Sequence, residues 1–221
     1  MFFGKYPQNS EARPERIEWN VLRQDSNALL LISKYALITS YYCDLKKTNE
    51  DLSFLEWQHS LARERCFQFY ESAFSAEEKE IMVSRETRYG ESHCEDYVFL
   101  LTEEEVKEYL PDLLVRKAIP TDYSLKKGAR LGWTEDTREY TSWWIMPEIV
   151  DVSPGRIFSP QGKEYKKGNE IFPKAVFQNG DVQYHSRNVY HGDFTIRPCI
   201  LIDSEKFFAM KEKAEYPKAY M

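Results

Sequence analysis

Two adjacent tryptophans near the middle of the chain restrict its fold more than any other feature. Trp143 and Trp144 lie in the stretch "SWWIMPEI", whose apolar and aromatic residues are typical of a β-strand. Consecutive side chains of a strand point to opposite faces of its sheet, so the two indoles cannot share one core. We therefore predict a strand that is covered on both faces.

Composition indicates one globular domain that does not bind nucleic acid. The chain has 221 residues, of which 42% are hydrophobic, 30% are charged and 15% are aromatic. The aromatic surplus favours a sheet-rich core. The net charge of −6 lacks the basic footprint that phosphate neutralisation needs. Two short basic runs, at Leu125–Lys127 and Tyr165–Lys167, are interpreted as solvated loop lysines.

The sequence contains no signal for export, membrane insertion or metal binding. The N-terminal segment has no apolar core of the signal-peptide kind, and no run of about 18 apolar residues occurs, so we expect a cytoplasmic protein without a membrane partner. Cys43, Cys66, Cys94 and Cys199 are widely spaced, which favours reduced thiols. The four histidines lack ligand spacing, so we expect no metal site and no cofactor.

Local patterns predict strands early in the chain and short helices after them. Ile17–Leu22 alternates apolar and polar residues, whereas Ala28–Tyr35 is nearly continuously apolar and is predicted to be buried on both faces. Helical spacing of apolar residues begins near Leu55. Two capping boxes predict helix starts, at Ser75 with Glu78 and at Thr102 with Glu105.

The C-terminal third is predicted to be strand and loop. Asn179-Gly180, between two alternating runs, predicts a two-residue type I′ hairpin turn. That loop places Phe177 opposite Val182 and Ala175 opposite Tyr184 on one face. The other, outer face would carry Val176, Gln178, Asp181, Gln183 and His185. The segment "FTIRPCILID" reads as a final strand in which Pro198 causes a bulge or a locally unpaired edge. In that strand one side carries Phe194, Ile196, Ile200 and Ile202, and the other Arg197, Cys199 and Leu201.

An ordered set of segments over residues 3–203 resembles a known family. These segments are "FGKYPQ", "IEWNVL", "ALLLISKYAL", "AFSAEEKEIM", "DYVFLLTEEEVKEYL", "PTDYSLKKGA", "SWWIMPE", "AVFQNGDV" and "IRPCILI". They are similar to an uncharacterised bacterial and phage domain of unknown function that ends in "WWLRSPG", "AYVNSDGSV" and "GVRPALWI" strands.

The resemblance implies an α+β fold of the C-type-lectin-like class. Such a domain is single, with mixed, mostly antiparallel sheets, a few short helices and long loops, and it is similar to formylglycine-generating enzymes and phage tropism determinants. Residues 1–203 would form this domain and residues 204–221 a C-terminal helical extension. The chain departs from the family where Ile145–Glu148 replaces "LRSPG" and where the insertion of residues 149–174 precedes the hairpin.

The motifs favour a binding or structural module over an enzyme. Formylglycine-generating enzymes hold copper with two cysteines, but no second cysteine lies near Cys199 in the sequence. Hydrolase, P-loop and dinucleotide-binding motifs are absent, as are the triplets of calcium lectins. An enzyme related to those oxidases, and a structural or host-interaction protein of a phage or mobile element, remain the alternatives.

The expected recognition surface is the loop-rich C-terminal region. Lectin-like domains present such a surface to ligands, and tyrosine, histidine, arginine and asparagine are common in protein interfaces. We predict recognition of a protein or glycan partner, without catalysis, by Gln178, Gln183, His185, Arg187, Asn188, Tyr190 and His191.

Overall fold

The apolar run at Ala28–Ser33 forms the centre of the larger of two main sheets. The computed structural model describes residues 1–44, 55–89, 92–152, 168–184 and 192–215. In spatial order this antiparallel sheet contains β1 (Phe2–Pro7), β2 (Pro14–Gln24), β3 (Ala28–Ser33) and β13 (Cys199–Asp203), with β5 (Met82–Val83) and β8 (Val98–Phe99) both paired to β13. The predicted early strands are therefore confirmed.

The second main sheet is built around the strand that carries the two tryptophans. Its order is β11 (Val182–Tyr184), β10 (Gly168–Val176), β9 (Trp143–Val152), β12 (Thr195–Ile196) and β4 (Ile38–Thr39). Only the pairing of β12 with β9 is parallel among the described strands. A separate antiparallel ribbon consists of β6 (Arg85–Tyr89) and β7 (Ser92–Asp96).

Short helices cover these sheets, and both predicted capping boxes are present. The helices are α1 (Leu61–Ala73), α2 (Ala76–Lys79), α3 (Glu103–Tyr109), α4 (Leu113–Arg116), α5 (Asp122–Lys126) and α6 (Ser204–Glu215), and a 3₁₀ turn at Trp57–His59 precedes α1. The Ser75–Glu78 and Thr102–Glu105 pairs each exchange two hydrogen bonds at a helix start. The chain is thus α+β with mostly antiparallel sheets.

Two apolar cores lie on opposite faces of the sheets. In β3, Leu29 and Leu31 belong to a first core with α1 and α6, whereas Leu30 and Ile32 belong to a second core with α3. This alternation confirms that β3 is buried on both faces, because neighbouring strand residues point in opposite directions. Phe207 of α6 lies in the first core and is almost completely buried.

The two tryptophans follow the same rule, as predicted. Trp144 lies in the first core and Trp143 in the second, and neither side chain is exposed to solvent. The Nε1 atom of Trp144 donates to the carbonyl of Ser40 at 2.9 Å, and that of Trp143 donates to the carbonyl of Arg116 at 2.9 Å. Each buried indole N–H is therefore satisfied within its own core.

The predicted final strand is two strands, because the chain changes sheets at Pro198. Strand β12 ends at Ile196 in one main sheet, and β13 begins at Cys199 in the other. Proline has no N–H to continue a ladder, while its carbonyl accepts from the Ser33 N–H at 2.9 Å. The predicted irregularity is confirmed, and the sides assigned to the apolar residues agree with the two cores.

The predicted register of the C-terminal hairpin is wrong by one residue. Val176, not Phe177, lies opposite Val182, and Ala175 lies opposite Gln183 rather than Tyr184. The loop has three residues, 178–180. The Phe177 N–H donates to the backbone carbonyl of Asp181 at 2.9 Å, and the Gly180 N–H donates to the backbone carbonyl of Phe177 at 2.9 Å.

Two local features stabilise this longer loop. Gly180 adopts a φ of +92°, the left-handed conformation that ends a three-residue hairpin loop. The Asn179 side chain both accepts from the Asp181 N–H at 3.1 Å and donates to the Asp181 carboxylate at 2.7 Å. A slip of one residue exchanges the two faces of a strand, so the faces assigned to the hairpin residues also change.

Gly180→Ala is expected to lower the free energy of unfolding by about 2 kcal/mol. A Cβ atom there would lie 2.3 Å from the Leu113 carbonyl oxygen, so the hairpin or α4 would have to move. Gly128→Ala is the matched control, because Gly128 also has a positive φ, of +106°, but has open space around it. Urea denaturation of both variants should show the larger loss for Gly180→Ala, and equal losses would contradict the steric argument.

Part of the predicted insertion lengthens the hairpin between β9 and β10. Residues Ile149–Val152 pair with Gly168–Ile171, so β9 continues past Glu148 and β10 begins before Phe172. Residues 153–167 lie outside the described ranges. The β6–β7 ribbon was not predicted, because "RETRY" and "SHCED" lack the apolar alternation by which a half-buried strand is identified.

Candidate functional site

Helix α1 carries a cleft along each of its two flanks. Consecutive helical residues are about 100° apart around the axis. Its buried stripe is formed by Ala62, Cys66, Phe69 and Ala73. On one side of this stripe lie Arg63, Glu64, Phe67 and Tyr70, which line the first cleft, and on the other Arg65, Gln68 and Ser72, which line the second. One helix therefore contributes to two separate candidate sites.

The first cleft, here named the aromatic cleft, lies between α1 and the end of strand β7. Its volume is about 540 Å³, which is within the range of small-ligand sites. The lining residues are Gln58, His59, Ser60, Arg63, Glu64, Phe67, Tyr70, Glu95, Asp96, Tyr97 and Val98.

A carboxylate with three donors forms the floor of the aromatic cleft. Asp96 is 9% exposed and accepts hydrogen bonds from the Trp57 indole N–H at 2.8 Å and from Arg63 Nε at 2.7 Å. The Cys94 thiol lies 3.3 Å from the same carboxylate. A buried carboxylate with this many donors holds three chain segments in place. The floor is therefore preorganised.

Aromatic rings form the wall of the cleft. Tyr70 and Tyr97 are stacked, with ring centroids 4.8 Å apart and an angle of 9° between the rings. The Lys79 ammonium lies 4.5 Å from the Tyr70 centroid, and Phe67 is 63% exposed on the outer rim. Phe67, Tyr70 and Tyr97 thus line one cleft together, and apolar surface that is grouped in this way is a feature of ligand and partner sites.

Carboxylates dominate the charge of the aromatic cleft. Arg63 is the only lysine or arginine among the described lining residues, and it is bound to Asp96. Glu64 and Glu95 are both exposed on the rim. The cleft therefore has an excess of negative charge next to exposed rings, an arrangement that attracts cations.

The thiols near the cleft are not activated as nucleophiles. Burial, together with the neighbouring Asp96 carboxylate, raises the pKa of the Cys94 thiol to about 11. Burial also raises the pKa of the Cys66 and Cys199 thiols well above the ordinary range. A reactive cysteine needs a lowered pKa, because the thiolate is the nucleophile. These thiols are thus protonated at neutral pH.

The second cleft, here named the basic cleft, lies between α1, the N-terminal strand and α5. Its volume is about 710 Å³. Lys5, Arg65 and Lys127 line it together with a single carboxylate, Glu11. Its other lining residues are Tyr6, Pro7, Pro14, Leu37, Ile38, Thr39, Gln68, Phe69, Ser72 and Tyr123.

The predicted recognition surface lies only partly within the described residues. Gln178 is half-buried in the hairpin loop, and Gln183 is exposed on β11 opposite Ala175. The two glutamines therefore do not share the outer strand face that the predicted register gave them. His185, Arg187, Asn188, Tyr190 and His191 lie outside the described ranges.

Sequence reasoning missed both clefts. Helical spacing identifies the buried residues of this segment but gives no role to Phe67 or Arg65, and the basic run that contains Lys127 predicts only a solvated loop lysine. A usable signal for Phe67 was its position off the buried stripe, where an apolar residue has no core to fill. No local signal joins Lys5 to Lys127, because the fold alone brings them together.

Comparisons of the chain with protein-family models, with curated proteins and with solved structures gave no significant match. None of the helices in the described ranges has both the length and the apolar composition needed to cross a bilayer. No group of three or more His, Cys, Asp or Glu side chains in these ranges is arranged to hold a metal ion.

Proposed function

We propose that this chain is a non-catalytic binding module that recognises a protein partner through the aromatic cleft. The observation that carries the proposal is a preorganised floor beneath exposed rings, with two rim carboxylates, Glu64 and Glu95, that form no ion pair with the residues the structure describes. The partner segment would insert a lysine or arginine side chain beside Phe67 and Tyr97, facing Glu64 and Glu95. Cation–π contact and charge complementarity both favour such a side chain.

A binding role accounts for the cleft better than catalysis does. The buried Asp96 carboxylate is occupied by the Trp57, Arg63 and Cys94 donors. The pKa of the neighbouring Cys94 thiol is raised rather than lowered. General acid–base or nucleophilic catalysis needs a group that is free to exchange a proton near neutral pH. Of the other lining residues, Glu64 and Glu95 are exposed on the rim, and the Nδ1 atom of His59 lies 3.9 Å from the Glu56 carboxylate.

The sequence-derived features extend this proposal. The C-terminal surface from Gln178 to His191 is a second candidate for contact with a protein or glycan, and the exposure of Gln183 supports it. We also propose that the fold is of the C-type-lectin-like class. Its support is a main sheet that combines the first strands with the last one, together with a second sheet whose two longest strands, β9 and β10, come from later in the chain.

The test is an array of synthetic peptides in which every basic peptide has a twin with glutamine at each lysine and arginine. The chain is expected to prefer the basic members. Glu64→Gln with Glu95→Gln should weaken their binding about tenfold, because two charge contacts are lost. Phe67→Ser with Tyr97→Ser should weaken it at least as much. Glu135→Gln with Glu139→Gln is the matched control, since both glutamates are exposed and lie outside the cleft.

The Trp57 indole N–H offers an independent readout, because it is bonded to Asp96 in the cleft floor. Its NMR resonance should shift on addition of a bound peptide. An unchanged array profile for the Phe67–Tyr97 double variant would show that recognition lies elsewhere. A glycan array should be tested in parallel. If glycan binding required Phe67 and Tyr97 but neither glutamate, the ligand of the cleft would be a neutral glycan and not a basic peptide.

A further inference from the structure

We propose that the basic cleft is a second binding site and that it takes a small organic molecule carrying a phosphate or carboxylate group. The proposal concerns a different surface from the aromatic cleft and does not depend on it. Its starting observation is an excess of positive charge, with Lys5, Arg65 and Lys127 around one carboxylate, in a chain whose net charge is −6.

The three cations come from separate elements and meet only in the folded chain. Lys5 lies in β1, Arg65 in α1, and Lys127 directly after α5. Like charges around one cavity repel each other, and an anion at the centre removes that cost. Clefts lined by one sign of charge also concentrate ligands of the opposite sign. The arrangement therefore suits an anion better than a neutral molecule.

Contacts within the cleft leave part of this positive charge uncompensated. The Lys127 ammonium lies 3.5 Å from Glu11 and 5.1 Å from the centroid of the Tyr123 ring. Arg65 donates to the neutral Gln68 side chain at 2.7 Å. Within the described residues, neither Lys5 nor Arg65 forms an ion pair with a carboxylate. These two cations are available to a ligand.

A tyrosine hydroxyl adds a neutral donor beside the cations. The Tyr6 ring packs on Phe69, with centroids 4.8 Å apart, and its edge-to-face neighbour is Tyr123 at 6.0 Å. Burial raises the pKa of the Tyr6 hydroxyl to about 12, so it stays protonated and can donate to an anion. Guanidinium, ammonium and phenol donors together are the groups that recognise phosphate and carboxylate oxygens.

The size of the cleft indicates an organic anion rather than a bare ion. Its volume is about 710 Å³, and its floor includes the buried side chains of Leu37, Ile38 and Phe69. An apolar floor with a few charged groups at the rim is typical of small-molecule sites. Three cations are too few to hold a nucleic-acid backbone, which requires many phosphate contacts. A sugar ring or a similar small body would rest on this floor.

The probes are glucose 6-phosphate, glucuronate and glucose, which share one ring and differ in charge. Titration calorimetry and NMR at low salt should show binding of at least one of the two anions and none of glucose. Glucose 6-phosphate tests for recognition of a phosphate group, and glucuronate tests for recognition of a carboxylate group. Higher salt should weaken the binding, because the charge contacts are exposed.

Lys5→Gln with Arg65→Gln should weaken anion binding about tenfold or more. Arg138→Gln is the control for loss of a surface arginine, because Arg138 is exposed and outside the cleft. All three positions are exposed, so the variants should keep the melting temperature of the parent. Failure of both anionic probes to bind, or equal binding to the double variant, would overturn the proposal. Neither result bears on the peptide array, so the two proposals fail separately.

Discussion

Trp144→Ala is expected to lower the free energy of unfolding by about 3–5 kcal/mol, and Trp143→Ala by a similar amount. Each change empties a completely buried indole site in a different core. The Trp144 ring also packs against Phe194, with centroids 4.8 Å apart, and against Tyr42 at 5.5 Å. Loss of either indole N–H leaves a carbonyl, of Ser40 or Arg116, without that donor.

Chemical denaturation of the two variants and of Trp133→Ala measures this effect. Trp133 is 91% exposed, so its replacement should change stability by no more than about 0.5 kcal/mol. Because the two cores lie on opposite faces of β9, losses at both Trp143 and Trp144 are required. If one of these variants unfolded at the denaturant concentration of the parent, the core assigned to that tryptophan would be wrong.

Asp96→Ala is expected to lower the free energy of unfolding by about 3 kcal/mol. The change leaves the Trp57 indole N–H, which is completely buried, without an acceptor. It also removes the counter-charge of Arg63, whose side chain is 31% exposed and can turn partly to water. The loss at Trp57 therefore dominates, because water cannot replace the missing acceptor.

A double-mutant cycle separates these two contributions. In a Trp57→Phe background the indole donor is already gone, so Asp96→Ala should cost about 2 kcal/mol less than in the parent. Glu95→Ala is the matched control, since Glu95 is the exposed neighbour of Asp96 on the same strand. An additive cycle would contradict the assigned hydrogen bond. The Asp96→Ala variant should also lose the basic-peptide binding proposed for the aromatic cleft, because its floor is no longer held.

Sequence patterns predicted those elements whose cause is local. The capping boxes at Ser75 and Thr102 depend on side chains three residues apart, and both are present. The two-sided burial of β3 follows from its continuous apolar composition. The same reasoning placed Trp143 and Trp144 in different cores, since alternation along a strand depends only on neighbouring positions.

The register of the hairpin between β10 and β11 could not be predicted from local sequence. The Asn179-Gly180 dipeptide correctly predicted the position of the turn, but this dipeptide is compatible with both a two-residue and a three-residue loop. The contact of Gly180 with the Leu113 backbone and the burial of Lys174, which donates to Glu103, favour the observed register. Both contacts join the hairpin to residues more than 60 positions earlier in the chain. The predicted register therefore gave Gln183 the wrong face, and it placed Gln178 on a strand although this residue lies in the loop.

The sequence by itself determined the early strands, the capped helix starts, the two-sided central strands and the break at Pro198, because propensity, alternation and the missing proline N–H act over a few residues. Only the tertiary structure decided where ligands can bind. The aromatic cleft joins Phe67 to Tyr97, and the basic cleft joins Lys5 to Arg65 and Lys127. No spacing rule connects such positions, since their distance in space depends on how helix α1 packs against β1 and β8, which are far apart in the sequence.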